Sequence, residues 1–400
     1  MKISLYILAF TLVIVLLVFV YWIVYRKEKK SMNNSNWIES FDTRNFRTPF
    51  IVDRDSEYLG NLRNRLDALI EELSRCGLNK KILEKILDYK NQVINSIELY
   101  YQGDLVNSQL IINKMIDEFN DAPAITNINN SIAFPGMDSE VQFFRARLSE
   151  NVKTFEAKDM LHIPFDKRSI VQSARFSIPG LPCLYLGNTT YVCWIEMGNP
   201  ADHRFNVSPI LLDNTQKVLN LTVTTNKLYE ILALEEYKPS ESDLHSLLKL
   251  MILTLATSYR VNESNRTFKS EYIISQMIML ACKNKGLDGI TYYSKRVDDE
   301  AFASTAAINL VLFAKYNGEE KLSEALCNHL EIDDSFNFSM FKQLLPCQCC
   351  KEYDLRILSS PYINNIGSFK RQIPYKETQF FEFDKYLFAN WDRRVSKEEQ

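Results

Sequence analysis

Glu196 closes the apolar run TYVCWIE, and Arg175 stands twenty-one residues upstream in RFSIPGLPCLYLG. Glutamate rarely ends an apolar segment unless a partner offsets its desolvation. A carboxylate and an arginine in an apolar wall suit a nucleotide-sugar. The guanidinium fork matches phosphate oxygens, and the carboxylate stabilises positive charge developing at a sugar carbon. Tyr185 ends the apolar strand between them, Arg145 and Arg147 sit upstream in FFRAR, and Ser294 leaves GITYYS beside Lys295 and Arg296. Singly, these arginines also suit surface ion pairs and the serine a turn cap; spacing alone does not make them converge.

The elements that must position these residues follow from pattern. VQFFRARL, LPCLYLG, PILLD, KVLNLTV, GLDGITYYS and INLVLFA predict short strands, and TYVCWIEM predicts a strand or a helix. Residues 244–259 and 271–286 predict helices, the second stopping at Gly286. The mixture predicts an α+β domain with a largely antiparallel or split sheet. No GxGxxG or GxxxxGK[ST] pattern occurs, which argues against a Rossmann or P-loop site.

Upstream, Leu62, Leu66, Leu69, Ile70 and Leu73 recur at helical spacing, as do Ile82, Ile86, Tyr89, Val93, Ile97 and Tyr100. Gly77 and Gly103 punctuate them, and Asp104 suits the N-cap of a third helix. The unit reads as packing, with a stalk, a homo-oligomer surface or a sensor as the functional alternative. Residues 4–25 form an uncharged apolar run long enough to span a bilayer of roughly 30 Å. RKEKK follows it, so the expectation is a single-pass membrane protein with its C-terminal part in the cytoplasm. The expected organisation is an anchor over 1–30, a linker over 31–54, helices over 55–120, a linker over 121–140, the α+β domain over 141–330 and a C-terminal extension over 331–400.

A net charge of −3 implies no nucleic-acid partner. Cys76, Cys183, Cys193, Cys282 and Cys327 are scattered, as buried free thiols are, rather than paired as a disulfide framework. CQCC (Cys347, Cys349, Cys350), with Cys327 and His329, does not have zinc-ligand spacing, so no metal is expected. His162 in LHIPF reads as structural.

Taken together, FFRAR, RFSIPGLPCLYLG, Glu196 and SEYIISQ…GLDGITYYS, in this order, resemble the RES domain family, named for its arginine, glutamate and serine. The resemblance covers roughly 141–315 and neither the apolar run nor the helical unit. It implies an ADP-ribosyltransferase-like split β-sheet, NAD as substrate and, as in family toxins, an antitoxin or immunity partner. It implies that Arg145 and Arg175 hold the pyrophosphate or orient the ribose, and that Tyr185 pins the nicotinamide side. It further implies that Glu196 stabilises an oxocarbenium-like transition state, and that Ser294 positions Glu196 or the ribose. Cleavage of the nicotinamide–ribose bond by hydrolysis, phosphorolysis or ADP-ribosyl transfer is the expected activity. The alternative is a nucleotide-sensing or non-catalytic module signalling through the helices.

Overall fold

The computed structural model describes residues 37–119, 124–127, 141–213, 215–233, 239–297, 307–344, 362–364 and 372–391. The apolar run 4–25, most of the second linker and Cys347, Cys349 and Cys350 lie outside the described residues.

After short 3-10 turns and one short strand, three helices follow: α1 (Tyr58–Arg75), α2 (Lys80–Tyr101) and α3 (Leu105–Asp117). Their leucines and isoleucines repeat every three to four residues, so each buries one stripe: Leu62, Leu66, Leu69 and Leu73 on α1, and Ile82, Ile86, Val93 and Ile97 on α2. The Asn79 and Asp104 side chains accept from the Lys81 and Asn107 amides, capping α2 and α3. These stripes close on α5 (Glu241–Thr257) and α6 (Ile273–Asn284), which lie against the sheet, so helices and sheet share one continuous buried cluster.

The main sheet contains β2 (Ile125–Asn127), β3 (Val141–Leu148), β4 (Cys183–Gly187), β5 (Phe205–Leu212), β6 (Lys217–Leu221), β8 (Gly289–Tyr293), β9 (Ile308–Phe313), β10 (Leu330–Ile332) and β11 (Phe336–Asn337). A separate parallel pair joins β1 (Phe50–Val52) to β7 (Tyr259–Val261). The strand order is β10-β5-β3-β4-β9-β8-β6-β2, with β11 also on β5, and every pairing except β6 with β8 is antiparallel. β3 pairs with β5 over eight residues but meets β4 at one pair only, Phe144 with Gly187. The sheet therefore parts into two halves along that seam.

TYVCWIE, expected as strand or helix, is a helix, α4 (Thr190–Glu196). The C-terminal residues add α7 (Gln379–Ala389), which packs on α4 through Phe380.

The expected transmembrane helix, and with it the single-pass membrane location and the membrane as partner, require correction. Among the described residues no helix is long and apolar enough to cross a membrane. The longest, α2, has a single buried stripe, and the strongly apolar α5 is 17 residues long and enclosed by protein. An apolar helix of that length, about 25 Å, is a core element rather than a bilayer span.

Candidate active site

Glu196 is the last residue of α4, and three local features fix that helix. Thr189 Oγ1 accepts from the Val192 amide at 3.1 Å and caps it. Tyr191 through Ile195 are buried, which leaves the helix end facing outward. Gly187, at the end of β4, lets α4 begin close to the strand: a Cβ there would lie 2.5 Å from Val192 Cγ1 and 2.8 Å from Cys193 Sγ.

The Glu196 carboxylate, 34% exposed, lies at the negative end of α4, which disfavours it by about 0.3–1 kcal/mol. Two donors outweigh that. Ser294 Oγ donates to Oε1 at 2.7 Å and Asn309 Nδ2 donates to the same oxygen at 2.8 Å. Hydrogen bonds to a charged group contribute about 1.5–3 kcal/mol each. Oε2 faces Arg296 Nε at 3.5 Å. The Arg296 amide in turn donates to Ser294 Oγ at 3.2 Å.

Sheet register brings the two donors together. Tyr292 is paired with Asn309, and the Ser294 amide donates to the Ala307 carbonyl just beyond the strand end. Side chains two apart share a face, so Ser294 and Asn309 project on the same side.

Arg145, the first β3 residue after the Phe144 seam, donates from Nη1 to the Tyr185 carbonyl at 2.9 Å. Burial, then Arg147, lowers its pKa to about 10, so it stays charged at neutral pH. Arg147, two residues on, donates instead to the Asp159 carbonyl and lies over Phe155, 4.8 Å from the ring centre. That separates the roles of the two FFRAR arginines.

Arg175 is buried, and burial pulls its pKa down. Its Nη1 donates to the Tyr293 carbonyl at 2.8 Å and its guanidinium lies 4.8 Å from the centre of the Tyr292 ring. It therefore secures the residue next to Ser294 as well as lining the cavity. Tyr185 lines the same wall, its phenol pKa pushed well up by burial.

Arg145, Arg175, Tyr185, Glu196 and Asn309 all line one cavity of about 320 Å³, with Tyr272, Tyr292, Lys295 and Arg296. Ser294 reaches it only through its bond to Glu196. Sequence reasoning missed Asn309, whose signal was one amide in the otherwise apolar INLVLF, and Tyr272. It quoted Lys295 without a role. Burial, then Arg175, lowers the Lys295 pKa to about 7; its Nζ lies 3.9 Å from Glu271 Oε1. A neighbouring cavity of about 550 Å³ shares Tyr272, Lys295 and Arg296 and adds Arg260, Arg266 and Lys269.

His162 is structural: its Nε2 accepts from the Ser323 amide at 2.9 Å. Cys183, Cys193, Cys282 and Cys327 are buried free thiols, and Cys76 is half-buried. Among the described residues no group of three metal-ligating side chains occurs.

The RES domain family matches residues 148–332. YopC of Bacillus subtilis (strain 168), whose name designates it a candidate toxin, is 31% identical over 256 residues. That alignment covers 59% of this chain and 56% of YopC, so the chain spans about half the length of that relative. A chain of the MbcT–MbcA toxin–antitoxin complex of M. tuberculosis aligns over 58% of this chain and 96% of its own length, at 13% identity and a TM-score of 0.28. At that score the likeness carries no argument. Arg145 lies three residues ahead of the matched segment and α7 lies beyond it. Residues 148–332 of this chain are thus similar to the RES domain family, and the relationship to YopC runs in the same direction.

Proposed function

We propose that the chain cleaves NAD at the bond between nicotinamide and ribose. The observation that carries this reading is the Glu196 carboxylate, with Oε1 held by Ser294 and Asn309 and Oε2 3.5 Å from Arg296 Nε, in the wall of a cavity that Arg145, Arg175 and Arg296 also line. Oε1 is committed to its donors, so Oε2 is the oxygen for the ribose hydroxyls and the developing cation.

Nicotinamide leaves as a neutral ring, so the reaction needs no strong acid. The C1′–N bond breaks, its electron pair passes to the pyridinium nitrogen, and positive charge builds on the ribose. A fixed carboxylate stabilises that charge more in the transition state than in the ground state. Water or phosphate then donates a lone pair to C1′ and releases a proton; transfer to a macromolecular hydroxyl follows the same balance. Tyr185 and Tyr292 offer aromatic walls for the leaving ring.

An intact dinucleotide exceeds one cavity of about 320 Å³. The adjoining cavity supports the reading as the place for the remaining phosphate and nucleoside. Glu263 and Glu271 also line it and Arg266 is paired with Glu271, but Arg260, Lys269 and Arg296 leave it with an excess of positive charge to complement phosphate. An enzyme that depletes NAD needs restraint in the cell that makes it, so an antitoxin or immunity protein covering this mouth belongs to the proposal.

The test is an NAD turnover assay with product identification, phosphate present and absent, on wild type and Glu196→Gln. Nicotinamide release by wild type and its loss in the variant support the reading. Wild type that binds NAD without turning it over supports the nucleotide-sensing alternative. No binding and no turnover refutes both.

A further inference from the structure

Asp384, on α7 and outside the RES match, has no exposed surface. Its Oδ1 accepts from the Thr190 amide at 2.9 Å, and its Oδ2 accepts from Tyr375 Oη at 2.6 Å. Thr190 Oγ1 donates to the Phe380 carbonyl at 3.2 Å, so the first residue of α4 is tied twice to the C-terminal segment. Rings complete the contact: Phe380 lies 5.3 Å from Tyr191 and 5.5 Å from Trp194, and Phe388 lies 5.2 Å from Phe144 at the sheet seam. The groups acting on Asp384 are the Thr190 amide and hydroxyl and the Tyr375 phenol; Cys193 also feels its charge. A carboxylate buried with no cation among these groups is expensive, so its position calls for a reason.

α4 supplies one. It is seven residues long, and its one functional group stands at the opposite end from Asp384. Six residues of rise put Glu196 about 9 Å along the axis from Thr190. A tilt of roughly 6° at the N-terminus then moves the carboxylate by about 1 Å, a displacement that can lower turnover by about 100-fold.

We infer that residues 375–389 form a clasp on the glutamate helix, and that Asp384 is the positioning residue which sets the placement of Glu196. The inference rests on the proposed NAD reaction for its catalytic consequence, and on packing alone for the clasp itself.

The experiment uses the full chain with wild type, Asp384→Ala, Asp384→Asn and Tyr375→Phe. It reads hydrogen–deuterium exchange of residues 188–197, with α2 as the internal reference, and kcat and KM for NAD. Asp384→Ala should speed exchange at 190–193 about tenfold while α2 stays unchanged, because the anchoring bond is local. It should lower kcat about 10- to 100-fold with KM within about threefold, since binding groups stay in place. Asp384→Asn, which keeps an acceptor for the Thr190 amide, should rescue most of both losses. Should Asp384→Ala fail to fold, Tyr375→Phe, which removes one of the two bonds to Asp384, takes its place with the same directions and smaller size. Unchanged exchange in the folded variant overturns the clasp. Unchanged kcat in an active background, or an Asn variant as impaired as the Ala variant, overturns the positioning role. A wild type without NAD turnover refutes the proposed function instead, and the exchange result still decides the clasp.

Discussion

Ser294 Oγ donates to Glu196 Oε1 at 2.7 Å across 98 residues of chain. Asn309 Nδ2 reaches the same oxygen from the neighbouring strand. One carboxylate oxygen is thereby immobilised by two donors, while the other has only the half-exposed Arg296 beside it, 3.5 Å away. A carboxylate held this way needs no reorganisation when charge develops beside it.

Glu196→Gln should lower kcat by about 10²–10³ while NAD binding stays measurable, the range for removing one preorganised electrostatic group. Ser294→Ala and Asn309→Ala should each cost about tenfold. Because both act on one oxygen, the double variant should lose less than the product of the two. Steady-state kinetics with calorimetric binding checks this; multiplicative losses would show that the two donors act independently.

Arg175→Lys should lower both stability and kcat. Lysine cannot reproduce the planar fork that meets the Tyr293 carbonyl and stacks on Tyr292, a loss of about 1–3 kcal/mol at a buried site. Arg147→Ala, which removes a surface contact over Phe155, should change kcat by less than about threefold. Denaturant unfolding beside the NAD assay separates the two, and equal effects would contradict the division of roles.

Gly187→Ala should push α4 off β4. Its Cβ would collide with Val192 and Cys193, a helix segment with little room to retreat. Overpacking of this kind costs about 1–3 kcal/mol. A drop in kcat larger than the change in KM would trace the shift to Glu196; a variant with wild-type kcat would show that α4 can move without cost.

The dependence of stability on pH should carry two opposite contributions. Lys295 titrates at about 7 when folded, against 10.5 as its ordinary value. The unfolded chain then binds the extra proton between those limits, so this contribution rises with pH from about 7 and is lost as pH falls through it. Lys295→Met should flatten that rise and raise stability at pH 6. Asp384 is pushed by burial from 3.8 to about 7, so its contribution is present below about pH 4 and lost as pH rises toward 7. Asp384→Asn should therefore gain on wild type between pH 5 and pH 8. Unfolding midpoints across pH 5–9.5 check both signs.

Much of the scaffold was legible in the sequence, because its signals are local. Short, largely apolar runs marked β3, β4, β8 and β9, and three-to-four spacing with caps and glycines marked α1 to α3. The order of FFRAR, RFSIPG, Glu196 and GITYYS pointed to the family that the match over 148–332 supports. TYVCWIE stayed ambiguous because its six consecutive buried residues, Thr190 to Ile195, show no face; Thr189, Gly187 and α7 make it a helix.

The sequence by itself determined which residue types stood ready for phosphate and sugar chemistry, and on which elements. Tertiary structure alone decided which of them meet. The one-pair seam between Phe144 and Gly187, the Asn309 bond across 113 residues and the Asp384 anchor across 194 depend on sheet register and helix docking. Those contacts follow from how buried faces fit one another, and no periodicity along the chain encodes the partner on the far side.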